Sequence, residues 1–399
     1  RTTTPEIKEK LISGLIKSGC DVIDTGIVPT PVLYFAVHHY NFDAGAMVTA
    51  SHNPPEFNGC KMVIGNRSLY GNEIQEVADI IEKNNFEEGK GQYTQRDAIP
   101  DYIKFILERF RFKRKLRIAI DTGNGTAGPL IVSLFEKLGL DITPLYTDSN
   151  PAFPNHLPDP LVPENLKDLT KAVKGKNLDA GFGYDGDGDR LGVVDEKGNI
   201  LWGDQLLIIY SRDILKKYPG SKIIFDVKCS KALEEEIVKA GGIPLMWKTG
   251  HSLIENKMHI EKAPLAGELS GHLYFADTYY GYDDAIYASL RLLKIMDETG
   301  KKPSELLEGI KKYYSTPEIR LIIPDEKKFD VVEELKRFFV SKGNKISDID
   351  GAKVFFSDGW ALVRASNTQP AIVVRIEAES EDALERIKGE FLETIRNFT

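Results

Sequence analysis

Apolar positions recur along this chain in two rhythms, and each rhythm predicts a different kind of element. Behind Thr4-Pro5, a cap followed by the proline favoured at helix starts, Ile7, Leu11 and Leu15 repeat every fourth residue and predict a helix to about Lys17. Short apolar runs bounded by glycine and polar residues predict strands. In the first region these rules give a strand over 20–23, a helix over 30–38, a strand over 45–49 and an amphipathic helix over 73–83. The second region gives helices over 99–110, 130–138 and 164–173, strands over 117–121 and 142–146, and an apolar run over 178–184. The third gives strands over 222–226 and 243–247, helices over 231–240 and 252–257, and a last strand entering at Leu265-Ala266.

Three times, then, a last strand runs into a loop of small and polar residues, near Ser51, Asp185 and Glu268. This repeat of organisation predicts an α/β fold class: three similar α/β domains with mixed, helix-covered sheets, at 1–97, 98–199 and 200–311. Residues 312–399 change rhythm. Strands over 319–323, 353–356, 360–363 and 371–376, with helices over 331–339 and 384–395, predict a smaller α+β domain. Chemistry in such α/β domains gathers at strand ends, so the three loops are expected to share one cleft.

Composition narrows the function classes. The 399 residues carry a net charge of −8, and the densest basic stretch, 109–115, is interrupted by Phe110 and Phe112. Nucleic acid is therefore not an expected partner. Cys20, Cys60 and Cys229 form neither a disulfide framework nor a metal-spaced pair, which fits a reducing compartment. No apolar stretch spans a bilayer and no export signal is visible, so a cytoplasmic location without a membrane partner is expected. The chain enters its first helix almost at once after Arg1, and its natural start is expected to lie outside it.

The most telling stretch is Tyr184-Asp185-Gly186-Asp187-Gly188-Asp189-Arg190. Carboxylates at every second position, with glycines between, bring hard oxygen ligands within reach of one small cation. The alternative is a solvated turn. Ser51, stiffened by Pro54-Pro55, is either a nucleophile or a loop hydroxyl, and its surroundings lack the Gly-x-Ser-x-Gly elbow of hydrolases. Arg364, Ser366, Asn367 and Thr368 crowd one bend with a forked cation, two hydroxyls and an amide. Such a set suits a phosphate or carboxylate, or else it is a polar hairpin. Glu268 and Ser270 suit vicinal hydroxyls.

Four ordered motifs, Thr49-Ala50-Ser51-His52-Asn53-Pro54, 185–190, 267–272 and 364–370, together resemble the alpha-D-phosphohexomutase superfamily, most closely its phosphomannomutase/phosphoglucomutase branch. The resemblance covers essentially the whole chain. It implies a heart-shaped, four-domain enzyme in which Ser51 carries the phosphate and Asp185, Asp187 and Asp189 bind Mg²⁺ together with a serine phosphate oxygen. Arg190 would steady the transferring group, Lys61 and His272 would be general acid/base candidates, and Glu268 and Ser270 would grip sugar hydroxyls. Arg364, Ser366, Asn367 and Thr368 would hold the phosphate not being transferred. Lys228 and His251 match substrate contacts of this branch, the alternative being a surface lysine and a capping-region histidine.

The implied reaction exchanges phosphate between carbon 1 and carbon 6 of a hexose phosphate, mannose or glucose, through glucose 1,6-bisphosphate or mannose 1,6-bisphosphate. Rival readings are a phosphoglucosamine mutase, a metal-dependent sugar phosphatase and a noncatalytic sugar-phosphate binding protein. Monomer and homodimer both stay open. Two departures stand out. The opening strand, first helix and arginine loop of the superfamily are not in this sequence, which would take a central partner from the first sheet. Gln369 also replaces a glutamate often found before the proline of the fourth loop.

Overall fold

The structure, a computed structural model, describes residues 1–65, 67–366 and 370–398. Two of the expected phosphate-binding residues, Asn367 and Thr368, and the variant position Gln369 lie outside the described residues.

The second region follows the expected pattern. Its sheet runs Ile200–Leu201, Leu191–Asp195, Ala180–Tyr184, Arg117–Asp121, Asp141–Leu145, parallel on both sides of Arg117–Asp121 and antiparallel beyond Ala180–Tyr184. Every residue of Ala180–Tyr184 is buried, because helix Lys167–Lys176 lies directly on it. A Cβ at Gly181 would come within 2.7 Å of Val173, so the glycines of this strand permit the close approach. That packing fixes the strand that delivers the acidic loop. The third region orders its strands Ile243–Trp247, Lys222–Asp226, Leu265–Gly267, Leu273–Phe275, again mixed, with the last pair antiparallel.

The first region departs from the expected single helix-covered sheet. Among the described residues Val22–Asp24 pairs only with Tyr93–Gln95, while Ala44–Val48, Cys60–Ile64 and Arg67–Ser68 make a separate antiparallel sheet. Helices Thr4–Lys17 and Asn72–Glu82 accordingly bury no residue fully, whereas Thr30–His39 buries most of its length.

One hydrophobic core runs through all three regions, from Phe35 and Tyr102 through Ile118 and Phe182 to Phe225 and Phe275. Its axis is helix Ala285–Thr299, capped by Asp284, whose side chain accepts from the Tyr287 amide. Tyr102 Oη reaches Asp284 at 2.9 Å and Tyr184 Oη reaches Ser289 Oγ at 2.8 Å, so this one helix and its cap bind region two to region three.

The fourth region has its own core. Along strand Gly359–Ala365, Ala361 and Val363 face helices Asp325–Ser341 and Glu381–Arg396, and the alternate residues Trp360 and Leu362 pack on Val227 of region three. The first of these helices starts six residues earlier than its apolar spacing predicts, at Asp325 rather than 331. Polar contacts complete the seam: Lys353 Nζ donates to the Val227 carbonyl at 2.9 Å and the Lys231 amide to Glu377 at 2.9 Å.

Candidate active site

The three strand-end loops meet. Ser51 leaves the strand Ala44–Val48 with φ of 49°, a left-handed conformation unusual for a residue with a side chain, and its amide is tied to Thr49 Oγ1 at 3.0 Å. The turn directs Ser51 Oγ into a short hydrogen bond with Asp185 Oδ2. Gly186 lies directly on the Ser51 carbonyl, where a Cβ could not fit. His52 Nδ1 is 3.2 Å from Ser51 Oγ, and the Arg1 guanidinium donates to the backbone carbonyls of Ser51, Asn53 and Pro54.

Asp185, Asp187 and Asp189 each offer an oxygen within 4.8 Å of the others, and all three are buried. Asp187 Oδ2 accepts from Thr30 Oγ1 at 2.8 Å, Thr49 Oγ1 at 3.2 Å and Lys61 Nζ at 2.9 Å, and Lys61 also pairs with Asp189 Oδ2. Asp185 Oδ1 accepts the amides of Asp189 and Arg190 at 3.0 and 3.1 Å. Asp187 Oδ1 and Asp189 Oδ1 are buried with no hydrogen-bond partner among the described residues. Buried carboxylate oxygens rarely go unsatisfied, and three hard anionic donors in one turn are what a divalent cation needs. The donor set fits such an ion.

Electrostatics divides the cluster. Burial, with Asp189 and Asp187 beside it, pushes the Asp185 carboxyl well up. Burial acts upward on Asp189 too, but Lys61, His272 and Arg190 outweigh it and hold this carboxyl far down. Burial opposes the Lys61 charge, yet Asp187 and Asp189 keep the ammonium form well favoured. His272 behaves oppositely: burial, against the pull of Asp189, brings its imidazole down to about 4.

Arg190 and His272 form an isolated antiparallel bridge, and Arg190 Nε donates to His272 Nε2 at 2.9 Å. Gly271, at φ of 86°, is pressed against Leu191, whose amide it accepts at 3.0 Å, so the sugar-loop candidate is fastened to the acidic loop. Ser270 Oγ donates to Glu268 Oε2 at 2.9 Å, and the Gly250 amide fixes the other oxygen at 2.8 Å. His251 begins helix His251–Glu261 with its ring 5.9 Å from that of His272.

Toward the seam with region four, Lys228 Nζ lies 3.1 Å from Glu318 and 3.7 Å from Asp226. Arg364 Nε lies 3.0 Å from Asp350 Oδ2, which also takes the Thr249 amide at 3.1 Å, and Ser366 is buried beside this strand end. Ser51, Lys61, the three aspartates, Arg190 and His272 therefore form one contiguous group, extended by Glu268, Ser270 and His251, with Lys228 and Arg364 at the seam. Sequence reasoning missed Thr30, Thr49, Asp283 and Glu255. For Asp283 the adjacent pair Asp283-Asp284 in front of an apolar helix was a usable signal.

Comparison with known proteins bears on this geometry. Descriptions of phosphoglucomutase/phosphomannomutase domains match in order: alpha/beta/alpha domain I over residues 1–88, domain II over 100–198, domain III over 202–313 and the C-terminal domain over 318–394. The chain belongs to this family. It is 44% identical over 391 residues to phosphomannomutase/phosphoglucomutase of Pseudomonas aeruginosa, covering 98% of this chain and 84% of that protein. It is 41% identical over 401 residues to phosphoglucomutase of Neisseria meningitidis serogroup A, covering 100% of this chain and 87% of that one. The crystal structure of a phosphoglucomutase/phosphomannomutase family protein from Burkholderia thailandensis superposes with a TM-score of 0.92 at 42% identity, over 98% of this chain and 86% of that one. This member of the phosphoglucomutase/phosphomannomutase family is thus an enzyme of the phosphohexomutase class, with four α/β regions and acidic clusters able to hold a divalent cation. Among its described residues no helix is long and apolar enough to cross a membrane.

Proposed function

We propose that the enzyme moves a phosphoryl group reversibly between carbon 1 and carbon 6 of mannose or glucose phosphates, with Ser51 as carrier and a 1,6-bisphosphate as intermediate. The observation that carries this reading is Ser51 Oγ hydrogen-bonded into the aspartate cluster, with Lys61 Nζ on the same cluster and the Arg190 side chain beside His272 and His52. Asp185, Asp187 and Asp189 would hold Mg²⁺, which when bound would offset charge on the phosphoryl oxygens.

The residues of this chain divide the work. The phosphorus bond to Ser51 Oγ breaks as a bond to the sugar hydroxyl oxygen forms, and the hydroxyl proton passes to a base. Burial leaves His272 neutral, which suits it to accept that proton at Nε2 once Arg190 Nε turns from it to the phosphoryl group. Lys61 is held charged by Asp187 and Asp189, so it serves as a fixed cation or proton donor. Arg190, between the acidic loop and His272, faces the transferring group. Glu268 and Ser270 take sugar hydroxyls, with Lys228 and His251 beside them, and Arg364 with Ser366, Asn367 and Thr368 takes the second phosphate.

The test is intact mass and peptide mapping after incubation with glucose 1,6-bisphosphate and Mg²⁺. A gain of about 80 Da on Ser51 supports the carrier role. An unmodified Ser51 overturns it and favours a phosphatase or binding protein. Rates on mannose, glucose and glucosamine phosphates then separate the substrates.

A further inference from the structure

Two carboxylates flank the Nδ1 side of the His272 ring. Asp283 Oδ2 lies 2.6 Å from Nδ1, and Asp189 Oδ1 lies 3.7 Å from it. On the opposite side Nε2 accepts a hydrogen bond from Arg190 Nε at 2.9 Å. A neutral imidazole has one N–H and one lone pair. An arginine donor at Nε2 requires the lone pair there, so the proton sits on Nδ1 and points at Asp283. Asp283 itself is 2% exposed, and its backbone is bridged to Tyr274, next to the capping residue Asp284. The carboxylate is thus held directly ahead of the helix that forms the axis of the shared core.

We propose that Asp283 is a positioning residue of the site: it holds the Nδ1 proton of His272, keeps that proton off Asp189, and leaves the Nε2 lone pair on the Arg190 side of the ring. The inference rests on reading His272 as the proton acceptor. Nε2 takes the hydroxyl proton once Arg190 Nε turns from it to the transferring phosphoryl group, and the Asp283 carboxyl beside Nδ1 then shares the added charge. Without Asp283 two faults open. The Nδ1 proton has only Asp189 to turn to, which pulls the ring onto a cation ligand, or the proton shifts to Nε2 and faces the Arg190 donor.

The experiment has a spectroscopic arm and a kinetic arm. In the full chain labelled with ¹⁵N-histidine, with the His272 signals identified by their loss in His272→Gln, the wild type is expected to show Nδ1–H and a bare Nε2. Asp283→Asn, which keeps an acceptor, should retain that tautomer, and Asp283→Ala should lose it. In steady-state assays Asp283→Ala should lower kcat by about 10²–10⁴-fold with KM within about threefold, and Asp283→Asn should recover part of the loss. A wild-type His272 protonated at Nε2 overturns the proposal, whether or not the variants fold. So does an Asp283→Ala enzyme with wild-type kcat. A wild type that shows the expected tautomer but never phosphorylates Ser51 refutes the mutase reading and leaves the positioning of His272 standing.

Discussion

Lys61 sits between two buried aspartates, with Nζ bonded to Asp187 and Asp189. Removing one partner of a buried ionic group leaves the others uncompensated, at a cost of about 3–5 kcal/mol. Lys61→Met should therefore be destabilised by about that amount in urea melts with EDTA. Mg²⁺ should restore more stability to the variant than to the wild type, since the cation then supplies charge the lysine no longer does. Equal gains in the two proteins would show that the aspartates are not the ion's ligands. A second buried acid, Glu255, accepts from the Ser68 amide at 3.3 Å, and burial pushes its carboxyl up to about 8 from an ordinary 4.5. The folded protein binds this proton more tightly than the unfolded chain, so the stabilisation is whole below pH 4.5 and is lost as pH rises toward 8. Glu255→Gln stays neutral throughout, and its stability relative to the wild type should grow by a few kcal/mol between about pH 5 and pH 9. A constant difference across that range would sink the assignment. The aspartate alternation was legible in the sequence because it lies in one short stretch, whereas Ser51 stayed open between nucleophile and loop hydroxyl and Lys61 entered only through the family resemblance. Glu255 was not legible, because its partner lies 187 residues away, and the acidic pair ahead of an apolar helix marked Asp283 without announcing its partner 11 residues away.

At the level of elements, glycines act as the fasteners between loops. Gly186 on the Ser51 carbonyl and Gly271 on Leu191 have no room for a side chain, and Gly271 also needs its positive φ. Gly271→Ala should cost about 1–3 kcal/mol of stability through backbone strain. It should also lower kcat on the order of 10²-fold, the scale of a ~1 Å misplacement of a catalytic group, here His272 against Arg190. Wild-type kcat in a folded Gly271→Ala protein would show that the bridge does not set the geometry. Strands that end in motif loops were readable, as at Ala44–Val48 and Ala180–Tyr184. Helices Gly203–Lys217 and Ala285–Thr299 were not among the elements read. Ten residues of the first and twelve of the second are buried, which blurs the one-sided apolar stripe that reveals a surface helix. The split of the first region into two sheets was also invisible as such, since pairing between strands is a non-local choice.

For the whole molecule, the division of cores decides what can separate from what. Regions one to three share one apolar cluster, while region four has its own and meets region three through Trp360, Leu362 and a few polar contacts. Residues 312–399 should therefore fold alone and melt cooperatively, and the Trp360 emission should lie further to the red there than in the intact protein with Trp202 and Trp247 replaced by Phe. A non-cooperative melt of the fragment would show that region four depends on its neighbour.

The position of helix Ala285–Thr299 also sets an order on the ribosome. Its side chains close a core whose other parts, Phe35 and Phe182 among them, are synthesised far earlier. At roughly 5–20 residues per second, the Ser51 and Asp185 loops wait many seconds before the helix that anchors Asp283 and Asp284 exists. Until then no complete site can form. The last region, with a core of its own, closes without that helix.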